Sequence, residues 1–345
     1  MAKIWLSVVA VLSISASYVM SQNYPFLRDV RVESSVSYTQ SSKIFSYSYH
    51  LANGRRSQGS IQEFDIDISR RVGSLGLDTT GLKFNSGLEE GYFRRRYPGL
   101  CERIVPVGFP GRPGNEWIGM LTNRRTASIS ADTLFIKPGQ STGGITITSR
   151  GVPGIRALVI RPNFQDDVLF PSIDDTSRTL SIAQMDSIRE AANFYTRTVG
   201  PTAPPVKFVA TIWIDTLLSY TRQSADLGWL GRDRDNDCDD DERPDDGVVK
   251  NIEKRLEKAK RFLERDDSVK ARRELEKLVQ KVERIWKRSQ DQEKKRGRGK
   301  EWRQDKCLMT SEAYALLKYN TEYVIDHLPE KERPEPRKPK KRERD

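Results

Sequence analysis

The chain has 345 residues, of which 36% are hydrophobic and 31% charged, and its formal net charge is +11. That length suits about two domains with modest cores, and beyond the first twenty or so residues no stretch is apolar enough to span a bilayer as a helix. The charge is uneven: residues 247–345 hold 31 Lys and Arg against 20 Asp and Glu, whereas residues 1–246 hold 28 of each. The basic excess belongs to the C-terminal part, which points to anionic partners for that part and not for the rest.

The first segment, MAKIWLSVVAVLSISASYVMSQ, carries one Lys, an apolar run over 4–19 and then small residues. This pattern predicts a secretory signal peptide, 1–21, with cleavage after Ser21; cleavage after Ser17 is the alternative. Export to an extracellular or cell-surface location follows, and it favours glycan, envelope or protein partners over specific nucleic acid. It also makes disulfides permissible. The chain holds three cysteines, Cys101, Cys238 and Cys307.

Residues 24 to about 165 read as β-structure. In FSYSYHL, Phe45, Tyr47, Tyr49 and Leu51 alternate with Ser46, Ser48 and His50; in IQEFDIDI, Phe64, Ile66 and Ile68 alternate with Glu63, Asp65 and Asp67. Period two predicts half-buried strands, and the turn-like ANGRRSQGS between them suggests a hairpin with the acids on a solvated face. VRVESSVSYT, IVPVGF, WIGMLT, DTLFIK, GITITS and RALVIR are further strand candidates, separated by PGRPGN, KPGQSTGG and RGVPG. Many short strands between Gly/Pro turns predict an antiparallel β-sandwich over 22–180.

A short helix is predicted over 181–198, with Ile182, Met185, Ile188 and Ala192 on one face. The Pro-rich VGPTAPPVKF that follows reads as a stiff connection, so 181–210 is assigned to a short helix and linker. From Ile212 the period becomes 3.6. One helix carries Ile214, Leu217, Leu218, Thr221 and Ala225 and ends near Gly228; a second carries Val249, Ile252, Leu256, Ala259 and Leu263. A third starts after Asp266 and Asp267 and repeats Ala271, Leu275, Leu278, Val282 and Ile285. A fourth uses Ala313, Leu316, Leu317, Asn320, Val324 and Leu328. Four such helices over 211–329 predict a helical bundle, and 330–345, without any aliphatic or aromatic residue, predicts a disordered basic tail. The fold class is α+β in two domains.

Catalytic signals are sparse. The chain has two histidines, His50 and His327, and contains no HExxH, G-x-S-x-G or P-loop. A carboxylate pair for glycoside hydrolysis has no sequence signature, because its spacing is set by the fold. Cys101 lies near Arg94, Arg95 and Arg96 but has no partnered histidine in its motif.

The densest feature is RDRDNDCDDDERPDD at 232–246, nine of whose fifteen residues are acidic. Asp233, Asp235 and Asp237 have the alternate spacing of calcium ligands, yet the sixth position is Cys238 where such loops usually turn on Gly, and the twelfth is Pro244. Calcium therefore remains the alternative to a solvated acidic connection, and no other cofactor is indicated. The architectural reading is sharper. In an up-and-down bundle the first and third interhelix connections share one end. These hold Cys238 and Cys307, and they set the acidic run against the basic KKRGRGK. A Cys238–Cys307 disulfide is the expectation, stabilising by on the order of 4 kcal/mol in the chain-entropy model.

The C-terminal helices also carry a Leu-Gly-Trp turn at 227–229 and a Leu-x-x-Ala-Lys pattern at Leu256, Ala259 and Lys260. Lys270 and Ala271 then open the third helix, and Leu316, Leu317 and Asn320 mark the fourth. Over about 212–328 this resembles the FIMAH-type helical module found at the ends of many secreted bacterial proteins. The resemblance implies export and an accessory, non-catalytic helical unit; both connections at one end are longer here, one acidic and one basic. The β domain matches no known pattern. Together these features lead to the expectation of a secreted, non-catalytic interaction or structural protein. A carbohydrate-active enzyme and a calcium-dependent adhesion protein are the competing readings.

Overall fold

The computed structural model describes residues 27–68, 117–122, 126–131, 135–163, 191–202, 207–231, 246–295 and 308–329. The chain divides into two compact units, Met1–Val206 and Lys207–Asp345. Its described elements are antiparallel sheets in the first unit and helices in the second, an α+β arrangement.

In the first unit β1 (Val30–Thr39), β2 (Ile44–Asn53) and β6 (Ser141–Ser149) form a sheet of order β1-β2-β6. The second sheet has order β4-β5-β3-β7-β8, from β3 (Ile61–Asp67), β4 (Trp117–Thr122), β5 (Thr126–Ala131), β7 (Val152–Pro162) and β8 (Phe194–Thr202). Every strand pair is antiparallel. The alternation in β2 is obeyed: Phe45, Tyr47, Tyr49 and Leu51 are buried, while His50 is exposed. Tyr49 meets Phe64 of β3 with ring centroids 5.8 Å apart, so the apolar faces of the two sheets contact one another.

The hairpin expected between β2 and β3 does not form. β2 pairs with β1 and β6, whereas β3 pairs with β5 and β7, so the intervening connection carries the chain from one sheet to the other. Asn53 anchors this connection, its Nδ2 donating to the carbonyls of Gly59 at 2.8 Å and Ile136 at 2.9 Å. The physical reason is burial. Side by side in one sheet, β2 and β3 would present their apolar faces to the same side; in different sheets each covers the other.

The helix expected to reach residue 198 is also corrected. Residues 194–202, FYTRTVGPT, are β8, paired with β7 from Val152↔Thr202 to Ile160↔Phe194. Aromatic and β-branched residues fit a pleated surface, and that preference prevails where β7 offers a full set of partners. β8 ends its sheet, the place where Pro201 can stand without an N–H. The free edge of β8 is partly satisfied by side chains of the other sheet: Val199 N–H donates to Ser34 Oγ at 3.3 Å, and Tyr49 Oη donates to the Val199 carbonyl at 3.0 Å. Burial raises the Tyr49 phenol well above its ordinary value, against a small opposing effect of Arg156, so it stays a donor. At Gly200 a Cβ would meet Arg156 Cγ at 3.1 Å and Ile66 Cγ2 at 3.2 Å, side chains of the same sheet that would have to give way for it.

The second unit contains α1 (Ala210–Asp226), α2 (Asp246–Leu263), α3 (Ser268–Lys295) and α4 (Ser311–His327). Each helix packs on its sequence neighbour, and α4 also packs on α1. The apolar stripes read from the sequence are the buried ones: Ile252, Leu256 and Ala259; Ala271, Leu275, Leu278 and Val282; Ala313, Leu316, Leu317 and Val324. α1 ends where expected, with Gly228 in the left-handed region at φ 70. Asp267 opens α3, its Oδ1 accepting the Lys270 N–H at 3.0 Å. The connection leaving α1 and the one entering α4 run side by side. Gly231 N–H donates to the Leu308 carbonyl at 3.0 Å, Thr310 N–H donates to the Trp229 carbonyl at 2.8 Å, and Leu230 bridges Met309.

Candidate functional site

The strongest polar constellation in the first unit lies on β3, on the face opposite Phe64 and Ile66. Cross-strand register fixes its membership: Glu63 stands beside Arg161 of β7 and Ser130 of β5, and Asp65 beside Val159 and Ser128. Asp65 is only 4% exposed. Arg161 holds it through two hydrogen bonds to Oδ2, from Nε at 3.0 Å and Nη2 at 2.8 Å. The same guanidinium lies 3.9 Å from Glu63 Oε2. Tyr195 of β8, opposite Val159, adds its influence to Arg161 and is 41% exposed.

Two carboxyls therefore face one guanidinium. Burial, and after it the adjacent Asp65 carboxylate, push Glu63 from an ordinary 4.5 up to about 7, against the opposing pull of Arg161. Asp65 Oδ1 is buried and accepts no hydrogen bond among the described residues. The result is a proton-retaining carboxyl beside a carboxylate on one guanidinium, half-exposed at Glu63 and Arg161 and anchored at Asp65. Such a group can donate a proton near neutral pH, or present a hydroxyl donor and guanidinium N–H groups to a polar ligand.

This corrects the reading of Glu63, Asp65 and Asp67 as one solvated face. Asp65 is buried and ion-paired, and Glu63 is perturbed. Period two tells which side chains share a face. Which basic residue stands opposite depends on a long-range register, Glu63↔Arg161, that strand patterns do not contain.

A pH dependence follows. Because the folded-state value of Glu63 lies above its unfolded value, folded protein retains a proton that unfolded chain has released between about pH 4.5 and pH 7. The stabilising contribution is complete below that window and is lost as pH rises through it. Denaturant titrations at pH 4.5 and pH 7.5 should give a larger loss of stability for the native chain than for Glu63→Gln; equal losses would show that Glu63 is not the titrating group.

The remaining candidates separate cleanly. His50 is exposed on β2. His327 stacks on Tyr323 and Phe208, with centroids 4.2 and 4.7 Å away, and its Nδ1 lies 2.7 Å from the Tyr323 carbonyl, so it ends an aromatic cluster. Asp233, Asp235 and Asp237, the cysteines Cys101, Cys238 and Cys307, and the signal segment lie outside the described residues. Among the described residues no three His, Cys, Asp or Glu side chains converge to hold a metal ion, and no helix is long and apolar enough to cross a membrane. Comparison with protein-family models, with curated proteins and with solved structures finds no match to this chain.

Proposed function

We propose that this is an exported interaction protein. Its N-terminal unit, a β-sandwich, recognises an extracellular ligand (glycan, envelope component or protein) through the Glu63–Asp65–Arg161 patch. Its C-terminal unit, a four-helix bundle of the FIMAH-like type, is a basic accessory module. The observation that carries the reading is the patch itself: a buried carboxylate, a half-exposed carboxyl and a half-exposed guanidinium fixed on a rigid sheet. Contact between Tyr49 and Phe64 across the two sheets supports the sandwich, and the return of α4 onto α1 supports the bundle. Glycan-array binding tests the role of the patch: Arg161→Gln and Glu63→Gln should each remove the signal of the neutral glycans that the native chain retains. Ligand retention unchanged in both variants would overturn it.

A second reading, a carbohydrate-active enzyme with the sheets as catalytic unit, is favoured by one observation, the elevation of Glu63 to about 7 beside a second carboxylate. Turnover on a polysaccharide panel that disappears in Glu63→Gln, with melting temperature retained, would replace the binding reading with this one.

The same-end placement expected for Cys238 and Cys307 gains support from the paired backbones of Gly231 and Leu308, the residues flanking these two connections. Peptide mapping of non-reduced protein should recover a Cys238–Cys307 cross-link, with Cys101 alkylated. Free thiols at both positions would remove the cross-link from this account.

A further inference from the structure

Charges in the helical unit are distributed unevenly among its seams. Between α1 and α2, Arg222 meets Glu253 and Lys260 meets Asp215, each at 2.7 Å; between α3 and α4, Lys318 meets Glu283 at 2.9 Å. The α2–α3 seam is different. There Glu274, its side chain 7% exposed, receives Lys277 at 2.9 Å, Lys258 at 3.1 Å and Arg255 at 3.6 Å. The row then continues without another ion-paired carboxylate among the described residues. Lys281 donates across the seam to Asn251 Oδ1 at 2.5 Å, and Arg284 and Arg288 follow at the next two turns of the same stripe. Glu253 and Glu283 are directed to Arg222 and Lys318 on the other seams, and Asp291 stands only at the far end, beyond Arg288.

Among the described residues, six cations thus line one seam around a single ion-paired carboxylate, with Lys258, Lys277, Arg284 and Arg288 exposed. The crowding registers at Lys281, whose ammonium is pushed below its ordinary value first by burial and then by Arg255, Arg284 and Arg288. Like charges one turn apart oppose helix stability. The neighbouring seams remove such repulsion with carboxylates, whereas among the described residues this one retains it, as a surface awaiting external anions would.

The spacing selects the kind of anion. The α3 stripe repeats a cation about once per turn, roughly every 5.4 Å, far sparser than the charge every ~1.7 Å of duplex nucleic acid. Single-strand binders interleave aromatic platforms with their cations. The stripes 251, 255, 258 and 277, 281, 284, 288 contain no aromatic residue, and the adjacent Phe262 ring already lies beneath Lys258 and Lys270 at 5.9 and 5.8 Å. A polymer bearing about one acid group per sugar matches the row better than either nucleic acid.

We propose that the α2–α3 seam, Arg255, Lys258, Lys277, Lys281, Arg284 and Arg288, is a docking face for an acidic polysaccharide. This rests on the reading of the helical unit as a basic accessory module and gives that module its face and its partner. The test uses the full chain, with polygalacturonate as the carboxylate polymer, heparin as the sulfated one, neutral dextran, and a DNA duplex, in calorimetric titrations from 50 to 300 mM salt. Native protein should bind both acidic polysaccharides, not dextran, with affinity falling steeply with salt. The triple variant Lys281→Gln, Arg284→Gln, Arg288→Gln should weaken this by about tenfold or more while its melting temperature holds or rises. A control with the same change in net charge, Lys254→Gln, Arg261→Gln, Arg265→Gln, should bind like the native chain. Equal weakening by both triples would overturn the seam but leave a diffusely basic module. Tighter binding to the duplex than to either polysaccharide would overturn the partner. Binding of native protein to no polyanion at 50 mM salt would overturn seam and module together.

Discussion

Trp213→Ala should cost the helical unit about 3–5 kcal/mol, the largest single loss expected in this protein. Trp213 is 1% exposed in α1 and lies against Tyr323 of α4 and Phe208, with centroids 4.6 and 6.3 Å away. Truncation removes the ring that joins the first helix to the last, and the two remaining aromatics cannot both shift to fill the space. The indole also carries a weakness, since its Nε1–H is buried with no hydrogen-bond partner among the described residues. Trp213→Phe should therefore lose much less than Trp213→Ala, because the smaller ring keeps most of the contact and removes an unmade bond. Guanidinium denaturation followed by far-ultraviolet circular dichroism checks both. Similar losses for Phe and Ala would mean that the whole indole is needed at this site.

Asp65→Ala is expected to cost about 2–3 kcal/mol, in the first unit. It deletes the acceptor of two Arg161 hydrogen bonds and leaves a half-buried guanidinium without its buried carboxylate. A spectroscopic consequence separates this from simple packing loss. Without the neighbouring carboxylate, one of the forces raising Glu63 disappears while the pull of Arg161 stays. The Glu63 side-chain carbon resonance should then titrate well below pH 7 in Asp65→Ala, and lower than in the native chain. An unchanged midpoint would show that burial alone holds the proton, with no contribution from Asp65.

Both variants act where sequence and tertiary structure contribute different information. The stripe containing Ile214, Leu217 and Leu218 was visible as a 3.6-residue period, because a helix's face is fixed by spacing a few residues long. The partnership of Trp213 with Tyr323 was not, because it joins residues more than a hundred positions apart. Likewise Glu63 and Asp65 were legible as neighbours on one face of a strand, while Arg161, ninety-six residues from Asp65, entered only through the β3–β7 register. The seam of α2 and α3 falls between these cases. Its stripes are written in the sequence, but the turning away of Glu253 and Glu283 to other helices, which leaves the seam positive, depends on how the helices pack.

By itself the sequence determined the two-part composition, the concentration of basic charge after residue 247, most strand segments, and the helices with the stop at Gly228 and the cap at Asp267. These are local properties, governed by side-chain period, backbone conformation and capping groups within a turn or two. Tertiary structure alone decided that β2 and β3 enter different sheets and that 194–202 becomes an edge strand rather than the end of a helix. It alone decided that Asp65 is buried against Arg161. In each case the deciding free energy is released only when segments distant in the chain come together: apolar faces cover each other, β7 supplies a complete ladder, and a carboxylate leaves water only with its guanidinium in place.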